Sequence, residues 1–193
     1  INIGKNKDTL NDIDDYIYCL QELGPFAHYI TVNISSPNTE GLRDFHNQEK
    51  LVDLIITLNK IKKDKSTNIP ILLKISPDIN YSHIPEIADI AIKNNISAII
   101  LTNTTNNYRD DLVSELKKEK GGLSGNPLAQ ISTNMIKKFS KELNAKIPII
   151  GVGGVSSGKS AYEKITAGAS LLQLYTSFVY RGPSTAKDIK KEL

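Results

Sequence analysis

Ile147-Pro148-Ile149-Ile150-Gly151-Val152-Gly153-Gly154 is a short β-branched run that stops on two glycines. The stretch after it, Ser156 to Ala167, has helical spacing, with Ala161 and Ile165 facing inward and Gly168 at its end. A second run, Leu171 to Tyr175, then stops on Thr176-Ser177 and leads into a further helical stretch from Pro183, where proline suits a first turn. Strand, polar turn and helix, repeated, is the pattern of parallel strands joined by crossover helices.

Upstream the same alternation recurs. Apolar runs lie at Ile1 to Gly4, Tyr29 to Ile34, Ile69 to Ile75 and Ala98 to Thr102. Between them are helical stripes of Ile13, Ile17 and Leu20, closed by Gly24; of Leu51, Leu54, Ile55, Leu58 and Ile61; of Ile84, Ile87, Ala88 and Ala91; and of Leu128, Ile131, Met135 and Phe139. Alternation of this kind serves a doubly wound sheet as well as a barrel. The polar residues decide between them. They gather where strands end, at Asn33-Ile34-Ser35-Ser36, Lys74-Ile75-Ser76, Thr102-Asn103-Thr104-Thr105, Gly153-Gly154 and Thr176-Ser177, and an active face built from the carboxyl ends of many strands is the arrangement of a TIM barrel. The expected fold class is therefore α/β, a (β/α)8 TIM barrel with about its last six βα units in this chain. The chain opens at Ile1 without methionine, directly in the alternation Ile1-Asn2-Ile3-Gly4, so the first strands are expected upstream.

The bulk figures fit a single domain over residues 1–193, with 39% hydrophobic and 23% charged content. A formal net charge of +3, with cations and anions interspersed, lacks the footprint of nucleic-acid binding. The basic runs Lys60-Ile61-Lys62-Lys63 and Lys117-Lys118-Glu119-Lys120 read as solvated faces. Cys19 is the only cysteine, which excludes a disulfide framework. No run approaches the about 20 apolar residues that a membrane-crossing helix needs. His28, His46 and His83 are scattered without ligand spacing, so no metal is expected.

Four features carry candidate chemistry. Asn33-Ile34-Ser35-Ser36-Pro37-Asn38-Thr39-Glu40-Gly41-Leu42-Arg43 packs amides and hydroxyls into one loop that could bind a flat polar heterocycle, although the same residue types make ordinary turns. Lys74 stands in an otherwise apolar strand and needs a partner, either a structural carboxylate or a ligand with negative character. Thr102-Asn103-Thr104-Thr105 offers donors and acceptors at a strand end, or a local Asx turn. Gly121-Gly122-Leu123-Ser124-Gly125 and Gly151-Val152-Gly153-Gly154 let backbone N–H groups approach a phosphate, with the helix after the second adding its positive end.

Together with Asn2-Ile3-Gly4-Lys5-Asn6-Lys7, Ala167-Gly168-Ala169-Ser170 and Tyr175-Thr176, these strings, in this order over nearly the whole chain, resemble the quinone-linked class 2 dihydroorotate dehydrogenases. The resemblance implies oxidation of dihydroorotate to orotate in pyrimidine synthesis, with FMN as cofactor and a membrane quinone as final acceptor. It implies Ser36 as the base, where class 1 relatives place a cysteine, and Lys74 beside the flavin. It implies flavin contacts from Asn2, Asn33, Thr102, Gly125, Gly154, Tyr175 and Thr176, and orotate contacts from Asn33, Asn38, Asn103 and Thr104. Further flavin and substrate residues, and the membrane-associating quinone region, are expected upstream. The implied location is the mitochondrial inner membrane or, alternatively, the bacterial one, with this segment itself soluble. A different pyrimidine substrate on the same flavin barrel, or a non-catalytic barrel, are the competing readings.

Overall fold

The structure, a computed structural model, describes residues 1–38, 42, 45, 47–64, 68–110 and 112–193. Six strands form one sheet: β1 (Asn2–Ile3), β2 (Ile30–Asn33), β3 (Ile71–Ile75), β4 (Ala98–Leu101), β5 (Ile149–Val152) and β6 (Leu171–Gln173). Every pairing is parallel, and the order across the sheet is the order along the chain. A doubly wound sheet must reverse its strand order at a switch point. This sheet never does, so with a TIM barrel's winding it contains six consecutive βα units of that fold.

The returning helices are α1 (Asp14–Leu23), α2 (Gln48–Asp64), α3 (Ile84–Lys93), α4 (Ala129–Leu143), α5 (Gly158–Thr166), α6 (Thr176–Arg181) and α7 (Thr185–Glu192). Side chains alternate across each strand. One set, including Val32, Leu73, Ile75, Ile99 and Leu101, packs with the helix stripes into the main core. The other set, Leu72, Ala98, Ile100 and Ile150, forms a separate inner cluster. Along one inner rung Asn33 stands opposite Lys74, Lys74 opposite Ile100, and Ile100 opposite Ile150. Two polar residues thus sit side by side at the carboxyl end of an apolar interior.

Three local expectations are corrected. The stretch expected as one helix from Pro183 follows a separate helix, α6, that starts at Thr176 and ends at Gly182 with φ 80°; Pro183 precedes α7 instead of entering its first turn. Since α6 buries none of its residues, no inward stripe marks it in the sequence. Gly24 does not end α1 by turning left-handed; its φ is −53° and the chain continues into a tight turn over Gly24–Phe26. What favours glycine there is space, because a Cβ would lie 3.2 Å from Ile69 Cδ1.

Ile165 is 44% exposed, and the neighbouring Lys164 is turned inward in its place, at 0%. Its Nζ donates to Ala129 O and Thr133 Oγ1 of α4, each at 3.2 Å. Burial lowers the Lys164 pKa from its ordinary 10.5 to about 8. Between those values the unfolded chain holds a proton that the folded one has released. The Lys164 contribution to stability is therefore complete above pH 10.5 and declines as pH falls towards 8. The full displacement is worth at most about 3 kcal/mol. Lys164→Met should consequently stabilise the protein at pH 7.5, and that advantage should shrink by pH 10 in denaturant titrations. Tyr16, whose pKa burial raises, acts alike in both proteins and cancels. An advantage constant over this pH range would refute the account.

Candidate functional site

The site begins where β2 leaves the sheet. Ser35, fully buried, donates its backbone N–H to Asn33 Oδ1 at 3.2 Å and its hydroxyl to the same oxygen at 2.9 Å. The Asn103 side chain, from the loop after β4, donates Nδ2 to Asn33 Oδ1 at 3.2 Å and to Ser35 Oγ at 2.9 Å. Asn103 Oδ1 in turn accepts the Thr104 N–H at 2.8 Å. Asn103 thus makes the local turn and also reaches across to the loop after β2. Tyr16, buried on α1 and edge-on to Phe45 at 5.6 Å, donates its hydroxyl to the Asn33 backbone carbonyl at 2.8 Å.

Lys74 occupies the next position on the inner rung, directly opposite Asn33. It is half-buried, and no acceptor or carboxylate partners it among the described residues. Burial pulls its pKa below the ordinary 10.5. The carboxylate of the structural reading is thus not found among the described residues, and the ammonium faces a cavity of about 1110 Å³. That volume lies just above the roughly 300–1,000 Å³ typical of small-molecule sites.

Thr102, Asn103, Thr104, Gly125, Gly154, Tyr175 and Thr176 all border the same cavity. Thr102 is joined to Leu101 by a cis peptide and continues the ladder through Val152 O at 2.8 Å. The glycine loop at 121–125 folds against the β4 loop through paired Thr105–Leu123 backbone bonds of 3.1 and 2.7 Å. A side chain on Gly122 would collide with Thr104. Gly125 approaches Thr176, whose hydroxyl reaches Ser124 Oγ at 3.1 Å. Arg109 braces the segment leading into this loop by donating to the carbonyls of Lys117, Glu119 and Gly121.

After β5, Gly153 and Gly154 adopt φ of 117° and 70°, and neither N–H meets an acceptor among the described residues. A side chain at Gly154 would come within 2.6 Å of Ala129. The positive end of α5 is committed elsewhere, contrary to expectation. Gly158 N–H donates to the Glu192 carboxylate at 2.5 Å, and Ser157 and Ser160 form a capping box. Any anion at this corner must rely on the Gly153-Gly154 amides and the neighbouring β6 end.

Ser36 is half-buried, and its Oγ accepts the Asn38 N–H at 3.3 Å. Both residues lie on the loop above the asparagine cluster, which Asn106 Nδ2 ties down through Pro37 O at 3.4 Å. They do not line the cavity directly. Asn2 is exposed on β1 opposite Thr31 and, among the described residues, makes no hydrogen bond to the cluster. Thr39, Glu40, Gly41, Arg43 and His46 lie outside the described residues. His28 and His83 are exposed, and no group of three potential ligands could hold a metal among the described residues. Sequence reasoning missed Ser35, Tyr16 and Arg109 as parts of the site. Neither Tyr16 nor Ser35 carries a signal of its own, since each acts through partners brought close only by the fold.

The family model described as dihydroorotate dehydrogenase matches residues 1–193. A protein of Christiangramia forsetii named dihydroorotate dehydrogenase (quinone) is 46% identical over 194 residues, covering 100% of this chain and 57% of its own length. One of Wigglesworthia glossinidia brevipalpis with the same name is 49% identical over 199 residues, covering 99% and 58%. The crystal structure of Eimeria tenella DHODH in complex with ferulenol superposes with a TM-score of 0.93 at 36% identity, over 98% of this chain and 55% of that one. The chain thus spans less than two thirds of the length of these relatives.

Proposed function

The chain belongs to the dihydroorotate dehydrogenase family, and from that premise we propose that the protein oxidises dihydroorotate to orotate in pyrimidine synthesis, using FMN and passing electrons to a membrane quinone. The observation that carries this reading is the donor-only floor of the site. Asn33 Oδ1 and Asn103 Oδ1 are both consumed internally. Among the described residues the Asn33 NH2 and the Lys74 ammonium are left without an acceptor, side by side on one rung, and Lys74 borders the cavity while Asn33 lies just behind its wall. Such a floor suits ligands rich in acceptors and negative charge, which describes both orotate and the pyrimidine edge of a flavin.

The residues present fit FMN. Lys74 would stand at the acceptor-bearing edge of the flavin, with Asn33 and Thr102 beside it. The Gly153 and Gly154 amides, which meet no acceptor among the described residues, would receive the phosphate with Tyr175 and Thr176, and Gly125 would allow close approach. Asn2 is included from the family resemblance alone. FMN, when bound, supplies the hydride acceptor.

Ser36 is proposed as the base. One of its lone pairs receives the Asn38 N–H, and the other can take the substrate ring proton while the hydroxyl passes its own proton outward. Asn33, Asn38, Asn103 and Thr104 would hold the substrate against the flavin. A lysine poised at the flavin favours build-up of negative charge there as the hydride arrives.

The quinone is proposed as acceptor because Ser36, and not a cysteine, stands at the base position, and because the relatives carry quinone in their names. Association with a membrane follows from the acceptor. No helix among the described residues is long and apolar enough to cross one. Residues 1–193 are proposed as one partial flavin-binding barrel domain. Anaerobic addition of dihydroorotate to the intact protein should bleach a flavin spectrum, and a menaquinone or ubiquinone analogue should restore it. Bound flavin that stays oxidised would refute the substrate, and absence of flavin would favour a non-catalytic barrel.

A further inference from the structure

We infer that Ser35, which the base assignment at Ser36 leaves without a role, is the positioning residue that makes the asparagine cluster a donor surface and so sets the affinity for the acceptor-rich substrate. The inference rests on the proposed dihydroorotate reading and deepens it.

Two groups in the cluster can act in only one sense. A backbone N–H only donates, so the Asn33 atom 3.2 Å from the Ser35 N–H is its carbonyl oxygen. By the same reasoning the Thr104 N–H, at 2.8 Å, fixes the oxygen of Asn103. The Asn103 amide must then turn its NH2 towards Asn33 and Ser35. Because Ser35 Oγ accepts one of those protons at 2.9 Å, its own proton is directed to Asn33 Oδ1, also at 2.9 Å. The network has a single consistent proton arrangement. Its result is that Asn33 Oδ1 is saturated by three donors and the Asn33 NH2 is left for the ligand.

Ser35 supplies two of those three donors and connects both asparagines, which lie 70 residues apart in sequence. It is fully buried, so water does not readily replace its hydroxyl. Without that hydroxyl, Asn103 loses an acceptor and Asn33 Oδ1 one of its three donors; the Ser35 N–H and Asn103 Nδ2 remain, so the Asn33 amide is held less firmly and turns its oxygen outward more readily. An outward oxygen repels an anionic, acceptor-rich ligand. Of the three residues only Asn103 borders the cavity, so the effect of Ser35 must pass through the two asparagine amides that it holds.

The test compares orotate affinity and steady-state kinetics of the intact flavin-loaded protein with those of Ser35→Ala and Ser35→Cys, all normalised to flavin content. Cysteine keeps most of the volume with a weak donor, and it carries the test should the alanine protein not fold. The expected result is a rise of about tenfold or more in the orotate Kd and the dihydroorotate KM, with kcat changed far less. In a cycle with Asn33→Ala, the double variant should bind orotate no more weakly than Asn33→Ala alone, since Ser35 acts through that amide. A merely structural serine would lower the unfolding midpoint or the flavin content but leave KM per loaded site unchanged, and that outcome overturns the inference. Additive losses in the cycle overturn it as well. If the parent protein itself fails to bind orotate, the proposed function falls and this inference with it. If the parent binds orotate and both serine variants match it, only the role of Ser35 falls.

Discussion

Replacing Ser36 by alanine is expected to slow flavin reduction by dihydroorotate about 10²–10⁴-fold, the range that a positioned acid or base contributes, while FMN and orotate stay bound. The separation of effects follows from location. Ser36 Oγ touches only the Asn38 N–H among the described residues, and the cavity wall is made by other side chains. Removing one hydroxyl therefore takes away a proton acceptor without disturbing Asn33, Asn103 and Lys74. A serine hydroxyl is a weak base, so the rate in the parent protein should climb with pH as hydroxide helps remove the proton. The alanine variant should lack the serine-dependent part of that profile. Anaerobic stopped-flow mixing at several pH values gives both quantities, and an alanine variant that reduces its flavin at the parent rate would exclude Ser36 as the base.

The strands and the site differ in how far the sequence reveals them. All six strands are legible, since β-branched apolar runs with polar ends survive any local accident, and the parallel order follows from the helical stripes between them. Lys74 is legible for the opposite reason: a lysine among Ile71, Leu72, Leu73 and Ile75 breaks the pattern of its own strand, and the structure turns it to the inner face beside Asn33. Ser35 and Tyr16 are not legible as site residues because their work is done through partners distant in sequence, Asn103 and Asn33. Lys164 escapes for a different reason. Periodicity assigns the buried position to the apolar Ile165, but a long side chain that finds two oxygen acceptors on α4 can take that place instead. Likewise the binding of Glu192 at the start of α5 joins residues 34 positions apart, and nothing near Gly158 announces it.

Lys74→Ala is expected to weaken FMN binding by about tenfold or more, the cost of losing a hydrogen-bond donor to a charged or strongly polarised partner, without destabilising the flavin-free protein. The second half separates a functional from a structural lysine. An ammonium that is half-buried and unpartnered among the described residues contributes desolvation cost and no ion pair, so its removal from the empty protein should leave the unfolding midpoint level or raise it. A lysine kept for stability would do the reverse. The pH dependence adds an independent check. Burial has lowered the Lys74 pKa below 10.5, so the charge is lost as pH rises through that lowered value. FMN affinity of the parent should fall in the alkaline range, earlier than an exposed lysine would allow, whereas Lys74→Ala should lack this component. Titration of flavin-free protein with FMN, followed by quenching of flavin fluorescence from pH 7 to 10, measures both. Equal affinities for parent and variant across that range would show that Lys74 does not hold the flavin, and would return it to the structural role its lack of a carboxylate partner argues against.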